Sequence, residues 1–327
     1  LLRFSGAGTV GAIATGLLVN PEWGGAGVAA RRPDGGAWQT AQVSSGGIAS
    51  SVPVAAGAPD GSVAVFMRHD MGSTAGLTTY DPDTGWAAPQ SVPVTGSPDL
   101  ARIASDGNGH QAVVWFVNGS GIFVSQRTGD GPWSGPEAIS PPEDVMVVTP
   151  DLTFLPGGDL LVAWTKGDPS TLVGMDFSTI HVGVSSRVFS DGAWEPVQTA
   201  IPVGPTGWAV PRMAARSDGR LVVASGGHGE GGMTAVGISV QDDPAGVWTT
   251  PVMFPGSAMV QMSAHAMTVD DEGNAIVVWD EQPASQRTAH VGIADLSGPR
   301  IGAIAAPDSP LAGETVTFGA AVSDTWS

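Results

Sequence analysis

The sequence predicts an all-β protein, a six-bladed β-propeller of four-stranded antiparallel blades. Three observations predict it. A tight Asp/Gly turn closing on tryptophan recurs through the chain, and a second glycine-containing turn feeding an apolar strand alternates with it. Glycine (47) and proline (26) together exceed a fifth of the 327 residues, as in a chain that reverses direction often.

The tryptophan turns run Pro33-Asp34-Gly35-Gly36-Ala37-Trp38, Asp83-Thr84-Gly85-Trp86, Gly129-Asp130-Gly131-Pro132-Trp133, Ser190-Asp191-Gly192-Ala193-Trp194 and Pro244-Ala245-Gly246-Val247-Trp248, with a degenerate copy near Ser297-Gly298-Pro299. Each follows an alternating strand such as residues 122–127, and most precede proline and another short strand, which is the pattern of a hairpin. The second motif leads from Asp60-Gly61, Asp106-Gly107-Asn108, Gly157-Gly158-Asp159, Asp218-Gly219 and Asp271-Glu272-Gly273 into Val/Ile/Leu runs such as Ala112-Val113-Val114-Trp115 and Leu161-Val162-Ala163-Trp164. Such runs fit central strands buried on both faces.

Two hairpins make one unit of about fifty residues. The units fall at 1–45, 46–95, 96–143, 144–204, 205–257 and 258–306. Residues 167–179 form an insertion in the fourth, and the pattern stops after Pro307. Residues 1–306 are therefore expected to form the propeller and 307–327 the start of another module or a tail. The apolar stretch 10–19 is better used as a strand than as the remnant of a signal peptide. The glycines Gly6, Gly8 and Gly11 imitate a dinucleotide fingerprint, but a hairpin follows them rather than a βαβ unit.

Composition limits the partners. The net charge of −18, with Lys166 the single lysine, argues against nucleic acid and anionic membrane, both of which require clustered basic residues. The absence of cysteine excludes disulfides and thiol chemistry. No apolar run reaches the 18 residues of a membrane-spanning helix. The segment Asn118-Gly119-Ser120 is a formal glycosylation sequon in a eukaryotic source.

In a propeller, the loops from second to third strand and the links between units open on one face, where ligands bind at the channel mouth. The side chains expected there are Arg68 and His69, Asp99, Asp151, Arg212, His228 and Glu230, His265 and Asp280. Carboxylates, imidazoles and guanidinium groups in one concavity suit a polar ligand such as a sugar or an anion. Taken singly, each also fits a solvated loop. His69, Asp70, His228 and Glu230 are chemically able to hold a metal, but their spacing does not enforce one, and neither metal nor cofactor is expected. The repeated tryptophans read as packing residues. Trp23 and Trp208 break the repeat and fall in ligand-face connections, where an indole could stack on a sugar ring.

The turn-plus-tryptophan repeat resembles the Asp-box (BNR) repeat of the sialidase-like propeller superfamily across residues 1–306. For a true sialidase the resemblance implies an arginine triad, a tyrosine nucleophile with a glutamate base, and an aspartate acid. Tyr80, the single tyrosine, lies on a strand leading to the opposite face, and the family's early Arg-Ile-Pro segment has no counterpart, so sialidase activity is disfavoured. A two-carboxylate glycosidase, with Asp99 and Asp151 or Asp280 and Glu230, depends on their separation. Residues 306–318 and 323–327 look like the opening of a PKD-type, Ig-like domain, which implies adjacent Ig-like modules in a longer protein. The sequence thus favours a non-catalytic extracellular or cell-surface propeller binding a glycan or protein partner. A glycoside hydrolase or polysaccharide lyase of the same superfamily and a structural spacer are the alternatives.

Overall fold

The computed structural model describes residues 2–6, 12–20, 24–32, 37, 39–42, 54–58, 60–69, 74–117, 119–140, 150–166, 181–187, 194–202, 210–216, 218–226, 233–241, 247–258, 261–270, 274–282, 288–296, 300–305 and 319–323. Their regular structure is all β and antiparallel.

Consecutive strands meander into sheets. The first holds β1 (Leu2–Gly6), β2 (Ala12–Asn20), β3 (Gly24–Arg32) and β4 (Gln39–Gln42). The second holds β5 (Val54–Gly57), β6 (Val63–His69), β7 (Thr74–Asp81), β8 (Gly85–Trp86) and β9 (Gln90–Pro93), with β8 and β9 both paired to β7. The third has β10 (Asp99–Ser105), β11 (His110–Val117), β12 (Gly121–Thr128) and β13 (Glu137–Ala138). The fourth has β14 (Asp151–Phe154), β15 (Leu160–Lys166), β16 (His181–Arg187) and β17 (Gln198–Pro202). The fifth has β18 (Pro211–Ala215), β19 (Leu221–Gly226), β20 (Met233–Gln241) and β21 (Val252–Ala258). The sixth has three strands, β22 (Gln261–Val269), β23 (Ala275–Gln282) and β24 (Thr288–Ala294), and β25 (Arg300–Ala305) pairs with β26 (Gly319–Ser323).

Six equal four-stranded blades are thus not what the described strands make. The outer strand of the second sheet is split around Pro89, which has no N–H to donate. In the sixth, the segment that would supply a fourth strand is paired with β26 instead. The strand β2, antiparallel to β1, stands where a dinucleotide site would need a helix.

The core lies between successive sheets. Ile103, Val113 and Trp115 pack with Phe66 and Leu77 of the second sheet, while Ala112 and Val114 pack with Leu152 and Val162 of the fourth. Likewise Leu221 and Val223 face the fourth sheet, and Val222 and Ala224 the sixth. Second strands are therefore buried on both sides, which is why their sequences run apolar without alternation. The turn tryptophans fill the same seams: Trp133 packs against the second sheet, Trp194 against the third and Trp248 against the fourth. The Trp194 indole also donates to Glu137 Oε1 at 3.1 Å. Tyr80 meets Trp86 edge-on at 5.3 Å and is 6% exposed, a packing residue at the turn end. Trp23, Trp38 and Trp208 lie outside the described residues.

Behind Trp86, Trp133 and Trp248, a third-strand hydroxyl ties down the outer chain. Thr78, Ser125 and Ser239 donate to the carbonyls of Ala87, Ser134 and Thr249 at 2.7, 2.7 and 2.8 Å.

Candidate functional site at the cavity

The first strands β5, β10, β14, β18 and β22 stand side by side around a cavity of about 720 Å³. Each of these five strands runs into the same turn. The N–H of Ala58, Asp106, Leu155, Arg216 and Asp270 donates to the carbonyl four residues later, at 2.8–3.2 Å. Three residues past the turn's start stand Gly61, Gly109, Gly158 and Gly219, with φ between 88° and 92°, a conformation that penalises any Cβ.

Counting back four residues from each turn places Val54, Arg102, Asp151, Arg212 and Ala266 at one level of the five strands. Arg102, Asp151, Arg212 and Ala266 line the cavity there. The Asp151 carboxylate, only 13% exposed, links three sheets: Oδ2 accepts the Met213 N–H at 2.9 Å, and Oδ1 lies 4.0 Å from Arg102 Nε. Arg212 Nη1 donates to its neighbour Pro211's carbonyl at 2.7 Å. Among the described residues, two arginines and one carboxylate thus stand at this level of adjacent strands. Nearer the turns, Thr153, Thr268, Ser105, Asp106, Asn108 and Arg216 complete the polar lining. Arg216 is engaged there by Asp218 at 3.1 Å.

Of the residues the sequence singles out, Asp151 and Arg212 share the cavity wall. Arg68, at the end of β6, is buried, and its Nη1 donates to Ser97 Oγ. His69 ends β6, Asp99 opens β10, His265 stands at the register shift of β22, and Asp280 lies on β23 opposite Ser263. The side chains of these four, and His228, Glu230 and Asp70 altogether, lie outside the described residues. Among the described residues, no three His, Asp or Glu side chains converge as a metal site would require.

Sequence reasoning missed Arg102. Its signal was the turn: Arg102 precedes Asp106 by the interval at which Arg212 precedes Arg216. Aligning first strands on their turns brings out the pair.

No family model and no curated protein matches the sequence. Solved structures do match. The chain is similar to a polysaccharide lyase, PL25 ulvanlyase, with TM-score 0.59 and 10% identity over 90% of this chain and 78% of that one. It is similar to the intramolecular trans-sialidase from Ruminococcus gnavus, with TM-score 0.55 and 8% identity over 90% and 94%. It is similar to the BP39L lectin from Burkholderia pseudomallei, with TM-score 0.54 and 16% identity over 88% and 82%. These are propellers of the sialidase-like kind. The antiparallel sheets of this chain are similar to theirs in fold. At such identities the likeness is one of fold and does not extend to activity. It leaves the PKD-type resemblance of the last residues an expectation.

Proposed function

We propose that this protein is an extracellular or surface-displayed propeller that binds a saccharide at the channel mouth, where β10, β14 and β18 begin, without turning it over. The observation that carries the reading is the Arg102–Asp151–Arg212 level of the cavity wall. Paired guanidinium groups offer planar, multiple donors to sugar hydroxyls or an acidic substituent. A lyase, a trans-sialidase and a lectin on the same fold give carbohydrate recognition further support. Binding is favoured over catalysis because both carboxylates of the described lining are committed. Asp151 holds Met213 N–H, and Asp106 accepts from the N–H groups of Asn108 and His110 and from the His110 ring.

The proposal includes closure into six blades, the first sheet covering the free face of the sixth. Val291 and Ile293 on β24 are 65% and 43% exposed, pointing away from the fifth sheet, whereas Gly292 between them is held against Trp279 and Phe254. An apolar sheet face of that kind calls for a cover. Removing residues 1–45 is expected to yield a chain that unfolds or precipitates. A well-folded monomer would overturn the closure.

The functional test is a glycan panel read by thermal shift, followed by incubation of any hit with assays for reducing ends and unsaturated products. A ligand specific to the native state raises the melting temperature. A hit lost in Arg212→Ala and left chemically intact supports the binder. Cleavage of the hit replaces binding with a hydrolase or lyase. An absence of hits moves the assignment to a protein partner, including adjacent Ig-like modules, or to a spacer.

A further inference from the structure

Leu100 is the one non-glycine residue with positive φ among the described residues, at 52°. A leucine in this left-handed region is strained, because its Cβ crowds the backbone. It sits in a bulge: Asp99 pairs with Phe116 and Arg102 with Val114, so Leu100 and Ala101 together oppose Trp115. The bulge is not a loose end. In the link leading into β10, Thr95's carbonyl accepts the Trp115 indole N–H at 3.2 Å and Ser97 accepts from buried Arg68. Gly96 (φ 62°) approaches Val117 so closely that a Cβ would lie 2.5 Å from a methyl carbon. Pro98 is buried as well.

All this rigidity presents a side chain that contributes little to the core. Ala101 is buried in the seam between the second and third sheets, but Leu100 is 50% exposed. It stands at the mouth end of β10, two residues before Arg102. An exposed leucine alone means little. One held in a strained backbone by a pinned link, beside the charged level of a cavity, is different: strain of this kind persists where the surrounding structure over-determines it, and bulges re-aim side chains beside sites.

We propose that Leu100 is a specificity-determining residue of the mouth, an apolar rim just outside the cavity lining, against which the C–H face of a sugar ring rests while Arg102 takes its polar edge. The ligand class is then a pyranoside with an apolar face or substituent, such as a 6-deoxyhexoside, in preference to the corresponding hexoside. This rests on the saccharide-binding reading above and adds the selecting residue.

The test uses methyl glycosides of hexoses, 6-deoxyhexoses and hexuronates, titrated calorimetrically into the full chain and its Leu100→Ala, Leu100→Gly and Arg212→Ala variants, with melting temperatures measured in parallel. Leu100→Ala is expected to weaken the best-bound glycoside at least five-fold and to narrow the preference for 6-deoxyhexoside over hexoside. Leu100→Gly is expected to weaken binding equally while leaving the melting temperature unchanged or raising it by about 1–3 °C, since glycine relieves the strain. Affinity lost while stability holds is the signature of a presented ligand contact. Wild-type affinity and selectivity in both Leu100 variants, with binding lost in Arg212→Ala, overturns the role of Leu100 alone. A fall in melting temperature on Leu100→Gly also overturns it, by making Leu100 a packing residue. No glycoside bound by the wild type, or binding indifferent to Arg212→Ala, overturns the mouth site and this inference together.

Discussion

The two ends of the cavity-lining strands follow different rules. At the turn end, β5, β10, β14, β18 and β22 all close with the same N–H to carbonyl bond four residues apart, and four of the five turns show a positive-φ glycine at the same place. At the mouth end, equivalent positions hold Val54, Arg102, Asp151, Arg212 and Ala266. Repetition of backbone geometry builds the scaffold, and departure from repetition in the side chains builds the site. Among the described residues, the charged side chains at that level fall in one arc, the third to fifth sheets, while the second and sixth present small apolar residues there.

The largest effect should come from breaking the mouth end. Asp151→Ala orphans the Met213 N–H and leaves Arg102 without its facing carboxylate, and should cost about 2–3 kcal/mol in chemical denaturation. Asp151→Asn, which keeps an acceptor for Met213, should cost less than half as much. Equal losses would mean that charge, and not the bridge between sheets, is what matters there.

A smaller and more uniform effect is expected at the turn end. Gly61→Ala, Gly158→Ala and Gly219→Ala force a Cβ into φ of 88–92°, and each should cost about 1–2 kcal/mol. Thermal denaturation should find the three alike to within about 0.5 kcal/mol. A wide spread would break the equivalence of the turns.

Smaller still is His110→Asn. His110 Nδ1 bonds Asp106 Oδ2 at 2.7 Å, and in the sixth sheet Asn274 Nδ2 bonds Asp270 Oδ2 at 3.0 Å from the same turn position. Asparagine should therefore replace the histidine within about 0.5 kcal/mol, whereas His110→Ala should cost about 1. A large loss on His110→Asn would give the imidazole a role beyond the brace.

The smallest effect concerns pH. The backbone N–H of Thr84, with its hydroxyl and the Asp83 N–H, holds the Asp81 carboxyl below its ordinary value. A carboxyl lowered in the folded state contributes stability above its unfolded pKa and loses it as pH falls through the folded value. The melting temperature of Asp81→Asn should fall below wild type near neutrality and converge with it in acid, below about pH 4. Parallel curves down to pH 2 would contradict this.

Strand order and turn positions were legible because glycine, aspartate and tryptophan mark backbone requirements directly. Gly158 or Gly219 reports a positive φ, and the run Leu221 to Ala224 reports burial on two faces. Side-chain partnerships were not legible. Asp151 and Arg212 could be named from their place at strand starts, but the reach of Asp151 to Met213, 62 residues on, is set by how sheets stand against each other. Arg102 was hidden by the bulge at Leu100, which breaks the alternation from which a wall-facing position would be counted. The pairing of β25 with β26 escaped for a similar reason: an apolar strand does not specify which edge it joins.

The fastening of the outer chain by Thr78, Ser125 and Ser239 bears on how copies of the molecule meet one another. In the second and third sheets it stands beside outer pieces of two to four residues, β8, β9 and β13, bordered by Pro89 and Pro136. A sheet rim built this way offers a neighbouring molecule no long run of unpaired N–H and carbonyl groups on which to template a strand. The hydroxyl bonds hold the chain in that interrupted path, so the bond that secures the rim also keeps it from becoming a polymerisation edge.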